Sequence, residues 1–108
     1  MLRALFLGFP ALIFVLGIPL AARWVPPNRL YGFRTSTTFS SVDAWYKINL
    51  ATGVALLAAG VLSGVVVILL DHGVIALKPE PRYLVGILLT GLLLLAFLIP
   101  VVLYSNRF

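Results

Sequence analysis

The sequence has no cysteine, one histidine, one methionine and only three acidic residues among 108. Without cysteine there is no disulfide, no thiolate nucleophile and no thiolate-ligated metal site. A protein metal site needs three or four ligands, and His72 beside Asp71 offers the one pairing of that kind, so neither a metal nor another cofactor is expected. The recognisable catalytic patterns are missing as well: there is no GxSxG, no HExxH and no glycine-rich phosphate loop. The chain is not expected to be an enzyme. Asp43 could act as a general acid or base, but its place in the first turn of a helix is explained by capping and the helix dipole. His72 reads as a polar helix end.

Charge is scarce too, at 10% of residues, against 62% hydrophobic residues and a mean hydropathy of +1.13. A soluble domain this small buries only a modest fraction of its chain, so that much apolar surface belongs in lipid. Three runs carry no charge: Ala4 to Ala22 (19 residues), Ile48 to Leu70 (23) and Tyr83 to Tyr104 (22). At about 1.5 Å per residue each spans roughly the hydrocarbon core of a bilayer. All eight Lys and Arg residues and all three acids fall outside them. No charge sits at mid-membrane, where proton and ion relays are found, which argues against a transporter or pump.

The first run has a competing reading as a cleaved leader, with Arg3 as its basic start and Leu20-Ala21-Ala22 as a poor small-residue end. Nineteen apolar residues exceed the usual 7–15 or so of a leader, so it is expected to be retained. The fold class is therefore an all-α membrane protein with one domain over residues 1–108. Its parts are a first span at about 4–22, a loop and interfacial helix start at 23–47, a second span at about 48–70 and a third at about 83–104. The +5 net charge suits headgroups and topology rather than nucleic acid, which is not expected as a partner.

In span 1, Gly8, Pro10, Gly17 and Pro19 define no common face. The stretch RWVPPNRLYGFRTSTTFSSVDAWYK, residues 23–47, is the one long polar segment. Pro26 and Pro27 are expected to stop the first helix. Ser40 suits an N-cap with Asp43 three residues on, and Asp43 and Lys47 form a favourable i,i+4 pair. A helix is thus expected to begin near Ser41 and run to about Leu70, roughly 45 Å, with its first turns among headgroups. Trp24, Tyr31, Trp45 and Tyr46 suit the membrane–water boundary.

Along span 2, Asn49, Thr52, Gly53, Gly60, Ser63 and Gly64 fall within an arc of about 120° at helical spacing. Small residues permit close helix approach, and hydroxyls and amides can bond across. Gly53, Gly60 and Gly64 are therefore expected to pack against protein, either span 3 or another subunit. Span 3 offers Tyr83, Gly86, Thr90, Phe97, Pro100 and Tyr104 on one side as the mate.

Arg29 and Arg34 read first as topology determinants and headgroup contacts, and more sharply as parts of a folded loop. Asn28 and Gly32 suit a tight turn, and the Arg34 guanidinium offers five donors for carbonyls or an anion. Here Asn28, Tyr31-Gly32, Arg34-Thr35, Thr38, Ser41, Trp45, Asn49 and Gly53 stand in the order and spacing of a family signature. The chain resembles the SdpI-type bacterial integral membrane proteins over Asn28 to Gly53, with the three-helix layout around it in agreement. Two departures stand beside the match: the immunity protein of the family is longer, with additional helices, and Ser36 occupies a position where many relatives carry proline.

The resemblance implies a small bacterial inner-membrane protein of immunity or signalling type. Better-known members protect a producer cell against its own secreted killing peptide and can hold a repressor at the membrane. Binding of a membrane-active peptide or regulatory partner is then expected at Asn28, Tyr31, Gly32, Arg34, Thr35, Trp45 and Asn49. The alternative is a non-catalytic accessory subunit that stabilises a larger membrane complex through its small-residue face. Arg23, Arg29, Arg34, Lys47 and Arg107 lie on the side of the first loop and the C-terminal tail. Arg3, Lys78 and Arg82 lie on the other. This small excess favours the loop and C-terminus inside and the N-terminus outside.

Overall fold

In the computed structural model of the protein, residues 2–28, 30–35, 38–73 and 78–107 are described. Arg29, Ser36 and Thr37 of the polar segment lie outside the described residues. Three helices carry the fold: α1, Leu2–Ala21; α2, Val42–Asp71; and α3, Pro79–Ser105, with a 3₁₀ turn at Thr38–Ser40 before α2. Each helix is long and apolar enough to cross a membrane, with mean hydropathies of 2.3, 2.7 and 2.8 over their most apolar windows. The molecule measures 50 × 22 × 18 Å. Its long axis is that of α2, whose 30 residues span about 45 Å.

The helix ends show how the sequence punctuates the fold. α1 ends at Ala21, ahead of the proline pair. The Arg23 amide reaches the Leu20 carbonyl (3.2 Å) and the Trp24 amide the Pro19 carbonyl (3.0 Å). Arg23 takes a left-handed φ of 61°. This is a Schellman closure, so Pro26 and Pro27 follow the stop and do not make it. The cap of α2 is Ser41, one residue later than the expected Ser40. Its extended backbone (φ −159°, ψ 160°) lets Oγ accept the Ala44 amide at 2.9 Å. The shift arises because Ser40 is taken into the 3₁₀ turn, and it moves Asp43 to the second helical position. Asp43 and Lys47 pair at 3.0 Å as the i,i+4 spacing predicts. α3 starts four residues before its uncharged run because Pro79 occupies its first position, where the missing N–H costs nothing.

α1 and α2 pack antiparallel through backbone. A Cβ placed on Gly17 would lie 2.8 Å from the Gly53 carbonyl oxygen, one on Gly53 would collide with the Ala21 amide, and one on Gly60 would lie 2.8 Å from Phe14 Cβ. Gly64 is looser, its nearest neighbour being Pro10 Cβ at 3.9 Å. The small-residue arc of α2 thus faces α1, not α3 or a second subunit as its composition suggested. The complementary face of α1 is Phe6, Pro10, Ile13, Gly17 and Leu20, all buried. Pro10 and Gly17 belong to it, while Gly8 is exposed and Pro19 half-buried. Helix polarity could not reveal this face, since the residues around it are equally apolar.

The arc's hydroxyls do not bond across helices. Thr52 Oγ1 donates to the Ile48 carbonyl (2.9 Å) and Ser63 Oγ to the Ala59 carbonyl (2.6 Å), each to its own preceding turn. α3 completes the bundle at two ends. Its Gly86 lies against the Phe6 ring of α1, and Tyr83 packs on the same ring at 5.0 Å between centroids. At the other end Val101 joins Ala44, Ile48 and Ala55 of α2. On the expected mating side of α3, Gly86 and Thr90 are buried but Pro100 is exposed. The Arg3–Asp71 ion pair, at 3.5 Å, closes the end away from the polar segment.

Candidate binding loop

The polar segment between α1 and α2 folds as a cap on the bundle, and most of its ties are made by side chains to backbone. Asn28 builds the first turn: its Oδ1 accepts the Leu30 and Tyr31 amides at 2.8 and 2.7 Å, and its Nδ2 donates to the Pro26 carbonyl at 2.7 Å. The turn delivers Tyr31 to α1, where its hydroxyl donates to the Leu16 carbonyl. Partial burial pushes the Tyr31 phenol above its ordinary pKa of 10.0, because desolvation penalises the phenolate.

Gly32 follows at φ +113°, a conformation that L side chains rarely adopt. Space demands glycine there too, since a Cβ would lie 2.8 Å from Asn49 Oδ1 and 3.3 Å from Trp45 Cζ2. Passing Gly32, the chain meets the one amide side chain of α2. Asn49 Oδ1 accepts the Phe33 amide at 2.5 Å, while Nδ2 donates to the Phe33 carbonyl (3.3 Å) and to the Trp45 carbonyl (3.0 Å). The Asn49 carboxamide therefore pairs with the loop as a neighbouring strand would. It is the member of the small-residue arc that bonds outside its own helix, and its partner is the loop.

The rest of the cap is tied in the same manner. The Thr35 amide donates to Thr38 Oγ1 (2.7 Å), the Thr38 amide to Thr35 Oγ1 (3.2 Å), and Thr38 Oγ1 to the Thr35 carbonyl (2.9 Å). Thr38 is fully buried. Trp45 was expected at the membrane–water boundary. It is instead wholly buried beneath the loop, where its Nε1 donates to the Val25 carbonyl at 2.9 Å and its ring meets Phe39 at 5.3 Å. Trp24, 70% exposed, is the tryptophan left at the surface.

Of the residues singled out from the sequence, Asn28, Tyr31, Gly32, Thr35, Trp45 and Asn49 thus come together, and they hold the loop. Gly53 lies one turn further down α2, at the α1 crossing. Arg34 stands apart from them. It is exposed and makes no hydrogen bond or ion pair to another of the described residues, so the carbonyl contacts expected of it are not seen among them. Leu30, which sequence reasoning passed over, is 91% exposed. It sits in a turn whose amides are taken by Asn28, which leaves its side chain facing outward. An apolar residue inside an Asn-led turn is the signal that could have found it.

The cap presents the exposed guanidinium of Arg34 and the exposed side chain of Leu30. Arg23, Lys47 and Arg107, all exposed, lie at the same end of the molecule, with Asp43 as the acid there. No group of three or more His, Cys, Asp or Glu that could hold a metal occurs among the described residues. Such a surface can bind an anionic or amphipathic group.

One comparison with known proteins agrees with the signature. No curated protein and no solved structure matches the chain. The model of the SdpI/YfhL protein family matches residues 25–104, which takes in the whole cap, α2 and nearly all of α3. The chain therefore belongs to the SdpI/YfhL protein family.

Proposed function

We propose that this protein is a non-catalytic binding protein of a bacterial inner membrane, engaging its partner through the outer surface of the 28–45 loop. The observation that carries this reading is the division of labour within the loop. Asn28, Tyr31, Thr38, Trp45 and Asn49 satisfy the backbone inward, while Arg34 and Leu30 are exposed, and among the described residues the Arg34 side chain bonds to none of them. A loop tied down by these bonds, with a cation and an apolar residue exposed on it, gives up less entropy on binding than a free segment would.

The partner is a membrane-active peptide or a regulatory protein, the two kinds that resemblance to the immunity and signalling members of the family implies. The small basic excess on the loop side favours the loop in the cytoplasm and the N-terminus outside. A cytoplasmic regulator reaches that surface directly, so it is the favoured partner of the two. The accessory-subunit reading draws on small size, absent catalytic groups and a small-residue helix face in need of a partner, and of these the face is met by α1 at Gly53 and Gly60.

The test compares a deletion strain carrying the wild-type gene, Arg34→Ala or Leu30→Ser during exposure to membrane-active peptides, with capture of bound cytoplasmic proteins from the same membranes. Both variants should fold normally, since both residues are exposed and neither side chain bonds to the described part of the cap, and both should lose protection or capture. Full protection and full capture by both variants would refute the reading. Stoichiometric recovery with subunits of a large complex after mild solubilisation would favour the accessory role.

A further inference from the structure

The α2–α3 interface is not closed. A groove of about 560 Å³ runs between the two helices, floored by Ala51, Ala55 and Ala58 of α2 and walled by Phe97 and Tyr104 of α3, with Lys47 at its outer end. The volume falls within the usual range for ligand sites, about 300–1,000 Å³. The cause of the gap is local. Ala55 packs with Val101, but alanine side chains are too short to fill the space that the rings of Phe97 and Tyr104 hold open.

The groove's length and depth identify what fits it. From Lys47 to Ala58 is about 16 Å along α2, roughly half of a hydrocarbon core of about 30 Å. Lys47 stands one residue outside the uncharged run that begins at Ile48, so the groove starts at headgroup level and ends near the bilayer midplane. That is the span of one acyl chain in the leaflet on the loop side. Lys47 has three donors. Asp43 takes one at 3.0 Å, and the lysine side chain remains about half exposed. Around it the loop end carries Arg23, Arg34 and Arg107, and basic pockets between membrane helices suit anionic headgroups.

We propose that this groove is a binding site for one anionic phospholipid, its acyl chain along Ala51, Ala55 and Ala58 and its phosphate at Lys47. Asp43 opposes the anion while it orients the lysine, so it lowers the site's selectivity below what Lys47 alone would give.

The experiment uses the full chain in mild detergent. Phosphatidylglycerol and phosphatidylcholine with identical acyl chains are titrated in, and bound lipid is counted by native mass spectrometry. One phosphatidylglycerol per chain should be retained in preference to phosphatidylcholine. Lys47→Gln should reduce that preference about fivefold, the worth of one surface cation. Asp43→Asn should raise it, and Lys78→Gln at the opposite end should leave it unchanged. Ala58→Leu and, independently, Ala51→Leu should lower retention of both lipids by filling the groove, with helical content checked by circular dichroism. Equal retention of the two lipids with Lys47→Gln silent would overturn the proposal. So would retention indifferent to both alanine variants in folded protein, or a dimer in which a second copy or a bound peptide helix excludes lipid from the groove.

Discussion

Asn49 occupies the position where the membrane helix and the polar loop meet, and it illustrates why a carboxamide is needed there. The Phe33 amide and carbonyl lie over the mouth of the bundle, and a carboxamide is the side chain with one acceptor and two donors to match them. Asn49→Ala leaves the Phe33 amide without its partner, and such a loss costs about 1–3 kcal/mol. It should lower the thermal unfolding temperature in detergent and speed amide exchange over residues 30–35. Unaltered exchange there would mean that the loop is held by other means. Tyr31 carries the residue-scale pH dependence. Its folded pKa is raised by desolvation above the unfolded 10.0. Its stabilising contribution is therefore fully present below pH 10 and is lost as pH rises from 10 through the folded value. Wild type should lose stability over that alkaline window, and Tyr31→Phe should be less stable at neutral pH but flatter above pH 10. Parallel alkaline curves for the two proteins would contradict this.

At the scale of the helices, the α1–α2 crossing ranks three glycines that look alike along α2. Gly53 abuts the Ala21 backbone and Gly60 the Phe14 backbone, where no flexible side chain can yield, whereas Gly64 has ordinary room. Overpacking of this kind costs about 1–3 kcal/mol. Gly53→Ala and Gly60→Ala should each lower the unfolding temperature in detergent, and Gly64→Ala should be close to neutral, helped by the better helix propensity of alanine. The Gly60/Gly64 pair thus has the sequence form of a GxxxG motif, but only its first glycine is in tight contact. Equal destabilisation by all three alanines would mean that α1 sits closer to Gly64 than the 3.9 Å contact describes. The ends of the helices obey local chemistry in the same way. Arg23 in the left-handed region closes α1 and Ser41 in extended conformation opens α2.

For the whole molecule, charge lies at the two ends. The loop end carries Arg23, Arg34, Lys47 and Arg107 against Asp43, and the far end Arg3, Lys78 and Arg82 against Asp71 and Glu80. The excess of cations at the loop end predicts that end inside. Because the chain has no cysteine, single substitutions report orientation cleanly. Asn106→Cys should be protected from an impermeant maleimide in intact cells and Lys78→Cys labelled. The reverse pattern would invert the topology and move the loop to the outer face, where a secreted peptide becomes the reachable partner.

Segments long enough to cross a bilayer, the layout of three helices and the presence of a built loop were determined by the sequence itself. Uncharged runs of 19–23 residues have one stable environment, and Asn, Gly, Thr and Ser between them have local turn chemistry that acts over three or four residues. The pairing of faces was decided only in the tertiary structure. On α1, apolar from Ala4 onward, every face is alike to lipid and polarity marks no inner side, while on α2 the arc from Asn49 to Gly64 marks the inner side without saying which helix covers it. The face is set by which backbones can approach: Gly17 on Gly53, Phe14 on Gly60, and the Phe6 ring over Gly86. The same holds for Trp45 and Asn49. Their residue types suited a membrane boundary and a helix interface, but Phe33 and Val25, sixteen and twenty positions away along the chain, are brought onto them, and contacts at that separation leave no periodic trace in the sequence.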